Sequence, residues 1–311
     1  MRYPEIEPYD SGLLDVGDGH RVYWETCGNP DGKPVLVLHG GPGSGCSEGM
    51  RRFFDPARYR VVLVDQRGCG RSTPHAGDTV DALAANTAAH LMADFELLRE
   101  MLGISRWMLF GGSWGCVLGL AYAERYPERV SEIVMMGLAT DRQVEIDLLT
   151  GGLGGMFPEA FARFRDGVPE GEGDLAAAYC RLLVDPDPAV HEAAARGWCA
   201  WEEAMLPGVP PSPRFAEPRF RLGFARLVTH YFSRGCFLED GGILRDARRL
   251  AGIPVVLVQG VLDLGNLVGT PWLLERAIPG AELVLVGGAG HTTAVSSMED
   301  ALVAATDRFA L

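Results

Sequence analysis

The feature that most limits what this chain can become is Gly111-Gly112-Ser113-Trp114-Gly115, a G-x-S-x-G between an apolar run at 107–110 (WMLF) and a helical pattern at 117–125. A short apolar run stopped by glycine reads as a strand buried on both faces. A strand that passes into a helix over so few residues needs a sharp turn, and small residues flanking the serine leave room for it. Such a turn lifts the hydroxyl clear of the sheet at the N-terminus of the next helix. Glycine-rich turns around a serine also occur for structural reasons alone. Here the strand before and the helix after make Ser113 a candidate nucleophile.

The same strand-then-helix grammar recurs along the chain. Apolar runs at 35–38 (VLVL), 61–64 (VVLV), 133–136 (IVMM), 253–259 and 281–286 read as further strands. Helical spacing fills 80–102, closed by Gly103, and 298–309 near the end. This alternation predicts a mostly parallel, doubly wound α/β sheet. Between 140 and 239 the pattern changes to helical segments separated by proline-rich turns such as 207–213, with no clear strand. The expected organisation is therefore a core of residues 1–139 and 240–311 carrying an inserted helical cap, 140–239. The glycine cluster at 151–155 is a place where that cap is expected to flex.

A serine hydroxyl is a poor nucleophile until a neighbouring base takes its proton. Of seven histidines, only His291, in the loop after the last strand, has the address of such a base. His20, His75, His90 and His191 read as solvated, His39 as structural, and His230 falls in the cap. Asp263, shortly after the strand at 253–259, is the expected partner that holds the imidazole tautomer. Asp240 and Asp246 precede that strand rather than follow it. The order serine, aspartate, histidine is that of the α/β-hydrolase fold. His39-Gly40-Gly41-Pro42-Gly43 follows an early strand, where backbone N–H groups can stabilise charge on a carbonyl oxygen. The amides of Gly41 and Trp114 are the expected donors. A phosphate loop is disfavoured, because the Lys and Ser/Thr of a Walker motif are missing. Haloalkane and epoxide hydrolases are excluded by Ser113, since they need an aspartate there.

Composition removes other classes. The net charge is −13 and no basic cluster is dense enough for a nucleic-acid partner. No apolar stretch reaches the ~18 residues that span a bilayer, and residues 1–15 lack an apolar leader segment. Seven cysteines without regular spacing predict free thiols and a cytoplasmic, reducing location. No metal and no cofactor is expected, and the oligomeric state is left open.

At this point the chain resembles the proline iminopeptidases (prolyl aminopeptidases). The motifs that carry the resemblance are HGGPGSG, DQRGCGRS from Asp65 to Ser72, GGSWG and the stretch from Tyr23 to Pro30; the likeness continues through Trp198-Cys199-Ala200-Trp201-Glu202 and His230-Tyr231-Phe232. The resemblance implies that Glu202 binds a free α-amine beneath the cap and that Phe232 lines the substrate pocket. It also exposes departures. Val228 stands where the family carries a second glutamate, and Gly260-Val261-Leu262-Asp263 replaces G-R-Y-D. Ala139 and Leu148-Leu149-Thr150 replace aromatic residues of the pocket. Losing aromatic walls removes flat surfaces that pack a pyrrolidine ring. The expected activity is amide hydrolysis through a Ser113 acyl-enzyme, releasing one unblocked aminoacyl residue, not necessarily proline, from a peptide or an aminoacylated small molecule. An esterase or thioesterase of the same fold is the alternative.

Overall fold

The computed structural model describes residues 2–310. Its strands are β1 (Pro8–Gly17), β2 (His20–Gly28), β3 (Lys33–Leu38), β4 (Tyr59–Asp65), β5 (Trp107–Gly112), β6 (Val130–Met136), β7 (Val255–Gly260) and β8 (Glu282–Val286). They form one eight-stranded sheet in the order β1-β2-β4-β3-β5-β6-β7-β8. From β3 to β8 every pairing is parallel, whereas β2 runs antiparallel to β1 and to β4.

Alternate residues of the central strands feed two cores, as the two-residue period of a strand requires. Leu36, Leu38, Val62, Val64 and Leu109 pack on one face with α1 (Ala88–Met101) and α2 (Trp114–Arg125). Val35, Val37, Val61, Leu63, Met108 and Phe110 pack on the other. Between β6 and β7 the described residues hold no strand, but α3 (Gln143–Thr150), α4 (Pro158–Asp166), α5 (Leu175–Leu183), α6 (Pro188–Ala204), α7 (Pro218–Phe232) and the short α8 (Gly242–Asp246). Helices α4 to α7 bury their own cluster around Phe164, Tyr179, Trp198 and Trp201. The chain then adds α9 (Thr270–Ala277) and ends on α10 (Ser296–Arg308), whose Met298, Leu302 and Ala305 join the second core.

Helix α7 is tied to the connection between β4 and α1 by polar contacts. His230 Nε2 donates to Asn86 O at 2.8 Å, the Tyr231 hydroxyl to Asn86 Oδ1 at 2.7 Å and Arg226 Nη1 to Ala76 O at 2.8 Å. Asn86 also explains why the helix expected at 80–102 is broken. Its Nδ2 donates to Ala82 O and Arg67 O, the backbone turns over at Ala85 (φ 45°), and Thr87 caps a new helix. A short amide side chain offers the backbone an alternative to the helical ladder. The structure also corrects the reading of two histidines: His20 and His75 are buried, not solvated. In the glycine cluster, Gly154 is buried, and a Cβ there would stand 2.5 Å from the Phe161 ring. Glycine serves close packing at that position. Among the described residues no helix is long and apolar enough to cross a membrane.

Candidate active site

Ser113 lies at the junction of β5 and α2 with φ 57° and ψ −123°, a backbone conformation that side-chain-bearing residues rarely adopt. Its neighbours make that turn possible. A Cβ on Gly111 would be 2.5 Å from Gly115 O, and one on Gly115 would be 2.2 Å from Leu38 O. The Ser113 amide donates to Met136 O at 3.1 Å, which pins the turn to β6.

His291 follows β8, and its Nδ1 donates to Asp263 Oδ2 at 2.7 Å. Asp263 caps the short turn Leu264–Val268 and accepts from the Gly265 amide at 2.9 Å. The ring packs above Gly137, where a Cβ would approach Cε1 to 2.9 Å. Asp263 is buried, which alone would raise its pKa. The charge and hydrogen bond of His291, with the Gly265 amide and Gln259, outweigh burial and hold the carboxyl below its ordinary value. The Asp263 charge raises the pKa of His291 against the opposing effect of desolvation, and Glu202 adds to the rise.

The loop after β3 is clamped from the DQRGCGRS segment. Asp65 accepts from the Cys46 amide at 2.7 Å and from the Arg71 amide and Nε at 2.9 and 2.7 Å. His39 donates from Nδ1 to Gly40 O and accepts the Gln66 amide at Nε2, so its role is structural. Gln66 also accepts from Trp114 Nε1 at 2.8 Å and donates to His39 O at 3.1 Å. One glutamine thus couples the glycine loop to the first residue of α2.

A cavity of about 640 Å³ opens over Ser113. Its walls are mainly aliphatic: Leu138, Ala139, Leu148, Leu149, Leu153 and Val268 contribute, and Trp114 and Phe232 are its aromatic residues. Glu202, on α6, enters it from above and accepts from Trp198 Nε1 at 3.0 Å. Burial raises the Glu202 pKa to about 7, against the lowering effects of the Trp198 hydrogen bond and of His291. Gly41, Ser113, Trp114, Glu202, Phe232, Asp263 and His291 all line this one cavity. Elements from both ends of the chain and from the helical segment converge there.

The comparisons with known proteins agree with this geometry. Residues 33–296 match the family model described as the alpha/beta hydrolase fold. A probable proline iminopeptidase of Streptomyces coelicolor is 56% identical over 315 residues, covering 99% of this chain and 97% of the relative. A proline iminopeptidase of Xylella fastidiosa is 46% identical, with 99% and 98% covered. The chain belongs to the proline iminopeptidase family of α/β hydrolases. Among solved structures, a proline iminopeptidase of Mycobacterium smegmatis superposes with a TM-score of 0.64 at 22% identity, covering 97% of each chain. An esterase from Rhodococcus gives 0.61 at 21% identity, covering 99% of this chain and 98% of that one. At those identities the likeness speaks for the fold alone.

Within this proline iminopeptidase fold, the residues that depart from the family pattern fall in two places. Val228 is fully buried among α5, α6 and α7 and lies outside the cavity lining, while Ala139, Leu148 and Leu149 line it. Asp240 accepts from the Gln143 amide and Asp246 pairs with Arg245, so neither rival reaches His291. Several supporting residues escaped sequence reasoning. Gln259 accepts from the Leu138 amide at 2.7 Å and donates to Asn266 Oδ1 at 2.9 Å, while Asn266 Nδ2 donates to Gly260 O. Together they brace the loop that carries Asp263. Asp141 and Glu145 also line the cavity; burial lifts the Asp141 carboxyl to about 7. Isolated amides and acids have no periodic signature that would single them out.

Proposed function

We propose that this protein is a serine aminopeptidase that releases an unblocked N-terminal residue from a peptide through a Ser113 acyl-enzyme. One observation carries the reading: a cavity holding Ser113 and the Asp263–His291 pair also holds the half-buried side chain of Glu202. In this scheme the substrate's ammonium group pairs with Glu202, where exclusion of water strengthens the attraction. His291 Nε2 accepts the Ser113 proton as Oγ attacks the carbonyl carbon, and Asp263 stabilises the resulting imidazolium. The amides of Gly41 and Trp114 donate to the oxyanion. The carbonyl re-forms, the C–N bond breaks, and the imidazolium gives its proton to the leaving amine. Water then attacks the acyl-enzyme, with His291 again acting as base, and Ser113 regains its proton.

Residues 140–239 act as the cap that closes this site on a core of 1–139 and 240–311. The relatives' name puts N-terminal proline first among the substrates to try. A mainly aliphatic cavity of about 640 Å³ gives room for other residues, and for an aminoacylated small molecule in place of a peptide. Seven free cysteines suit a reducing compartment, the cytoplasm. A fluorophosphonate should label Ser113, and aminoacyl amides should be turned over only with a free amine. Equal turnover of acetylated and free forms would refute amine recognition and favour an esterase. A clear preference for prolyl amides over alanyl and glycyl amides would refute the broadened pocket.

A further inference from the structure

Ser113 and His291 border a second cavity, of about 480 Å³, whose lining does not include Glu202. It shares Ser113, Gly290, His291 and Thr292 with the first. Met50, Phe110, Met136 and Met298 form its apolar wall, Ser44 and Thr293 add hydroxyls, and no Asp, Glu, Lys or Arg lines it. The α6–α7 loop parts the two spaces: Pro207, Gly208 and Val209 face the first and Ser212 the second. That loop is tethered at both ends of its tip. The Ser212 amide donates to Glu203 Oε1 at 2.9 Å, and Arg214 Nη2 donates to Ser44 O at 2.5 Å.

Acyl transfer needs two spaces around one nucleophile. If the ammonium and its residue occupy the cavity of Glu202, whatever hangs on the leaving nitrogen must lie across Ser113, within reach of His291, which protonates it. The second cavity is the space beside Ser113 that satisfies both conditions. We propose that it is the leaving-group subsite and that it takes an uncharged, apolar residue or amine. This rests on the aminopeptidase reading above. The selectivity follows from the lining: an apolar side chain gains from leaving water, whereas a buried charge without a partner is penalised.

The test uses amides of one favoured residue X: X-NH2, X-Leu-NH2, X-Asp-NH2 and X-Lys-NH2. The expected kcat/KM for X-Leu-NH2 exceeds that for the Asp and Lys amides by roughly 10- to 100-fold. Filling the cavity with Met50→Trp or, from a different element, Thr293→Trp should lower the ratio of X-Leu-NH2 to X-NH2 turnover about tenfold. The deacylation rate, measured from the common X-acyl-enzyme, should not follow that ratio. Indifference to Leu, Asp or Lys would overturn the subsite, as would a preference for either charged residue. So would variants that reduce X-NH2 and X-Leu-NH2 turnover equally. Failure of wild-type protein to cleave X-NH2 at all would instead strike the aminopeptidase reading itself.

Discussion

The sheet and the helical segment above it use glycine in different ways, and the difference separates chemistry from specificity. At the site end of the sheet, a Cβ on Gly111, Gly115 or Gly260 would meet backbone carbonyl oxygens at 2.5, 2.2 and 2.4 Å. In the helical segment, a Cβ on Gly154 or Gly167 would first meet side chains, Phe161 at 2.5 Å and Tyr179 at 2.4 Å. Backbone cannot step aside without shifting a strand, whereas a ring can turn. Ser113, the proposed nucleophile, thus sits beside Gly111 and Gly115, where backbone leaves little adjustment, whereas the packing of the helical segment can be retuned by sequence change.

Removing a catalytic group tests the rigid half most directly. Asp263→Asn should lower kcat by about 10⁴-fold with little change in substrate affinity, because the amide presents the wrong partner to His291 Nδ1. A loss under about tenfold in steady-state assays would break the assignment. Next comes the glycine contrast. Gly115→Ala should destabilise the fold by about 4 kcal/mol in denaturant titration, since the new methyl meets Leu38 O. Gly154→Ala should lose only about 1–2 kcal/mol, as Phe161 can turn aside. Equal losses would erase the distinction drawn between the two regions.

The same contrast explains what could be read before the structure. The parallel strands from β3 to β7 announced themselves because residues buried on both faces must be continuously apolar, whereas β8, partly exposed at the sheet edge, showed only through its short apolar run 283–286. Ser113, Asp263 and His291 stand at strand ends, which topology alone can address. The antiparallel pair β1 and β2 was missed: most of β1 is exposed at the sheet edge, so its residues need not be apolar. His20 and His75 were misjudged because a histidine within a polar stretch can still be buried by a fold that returns over it. Gln66, Gln259 and Asn266 act through a few side-chain hydrogen bonds each, which leave no pattern in a sequence. The size of the cavity was equally invisible, since it depends on how far α3 and α6 stand from the sheet.

In the adjustable half, Glu202→Gln should reduce kcat/KM on free-amine substrates by roughly 10- to 100-fold, the worth of a charged hydrogen bond. Its pH profile gives the sharper reading. In the proposed mechanism both His291, with its raised pKa, and Glu202, raised to about 7, must be deprotonated for the free enzyme to act. Activity should therefore fall below neutrality with a limb steeper than one proton would give. The Gln variant should retain a limb of unit slope. An unchanged slope would remove Glu202 from amine recognition while leaving the triad intact.

Another glutamate sharpens the comparison, because it is buried in the rigid half and away from the cavity. Glu124, near the end of α2, has an unpartnered buried oxygen, and desolvation pushes its pKa from 4.5 to about 8, with the Asp246 charge adding and Arg249 and Arg245 opposing. Its folded pKa lies above its unfolded one. The protonated form is thus tolerated below about pH 4.5, and stability is lost as pH rises towards 8. Glu124→Gln keeps the shape without the charge. The variant should gain about 3 kcal/mol over the wild type between pH 5 and pH 8 in denaturant titration, with kcat/KM unchanged. Glu202→Gln should lose activity and, because burial raises its pKa as well, to about 7, should also gain stability as pH rises, by less than Glu124→Gln. If Glu124→Gln instead impaired turnover, the body of α2 would belong to the adjustable half, and rigidity would end at the turn around Ser113.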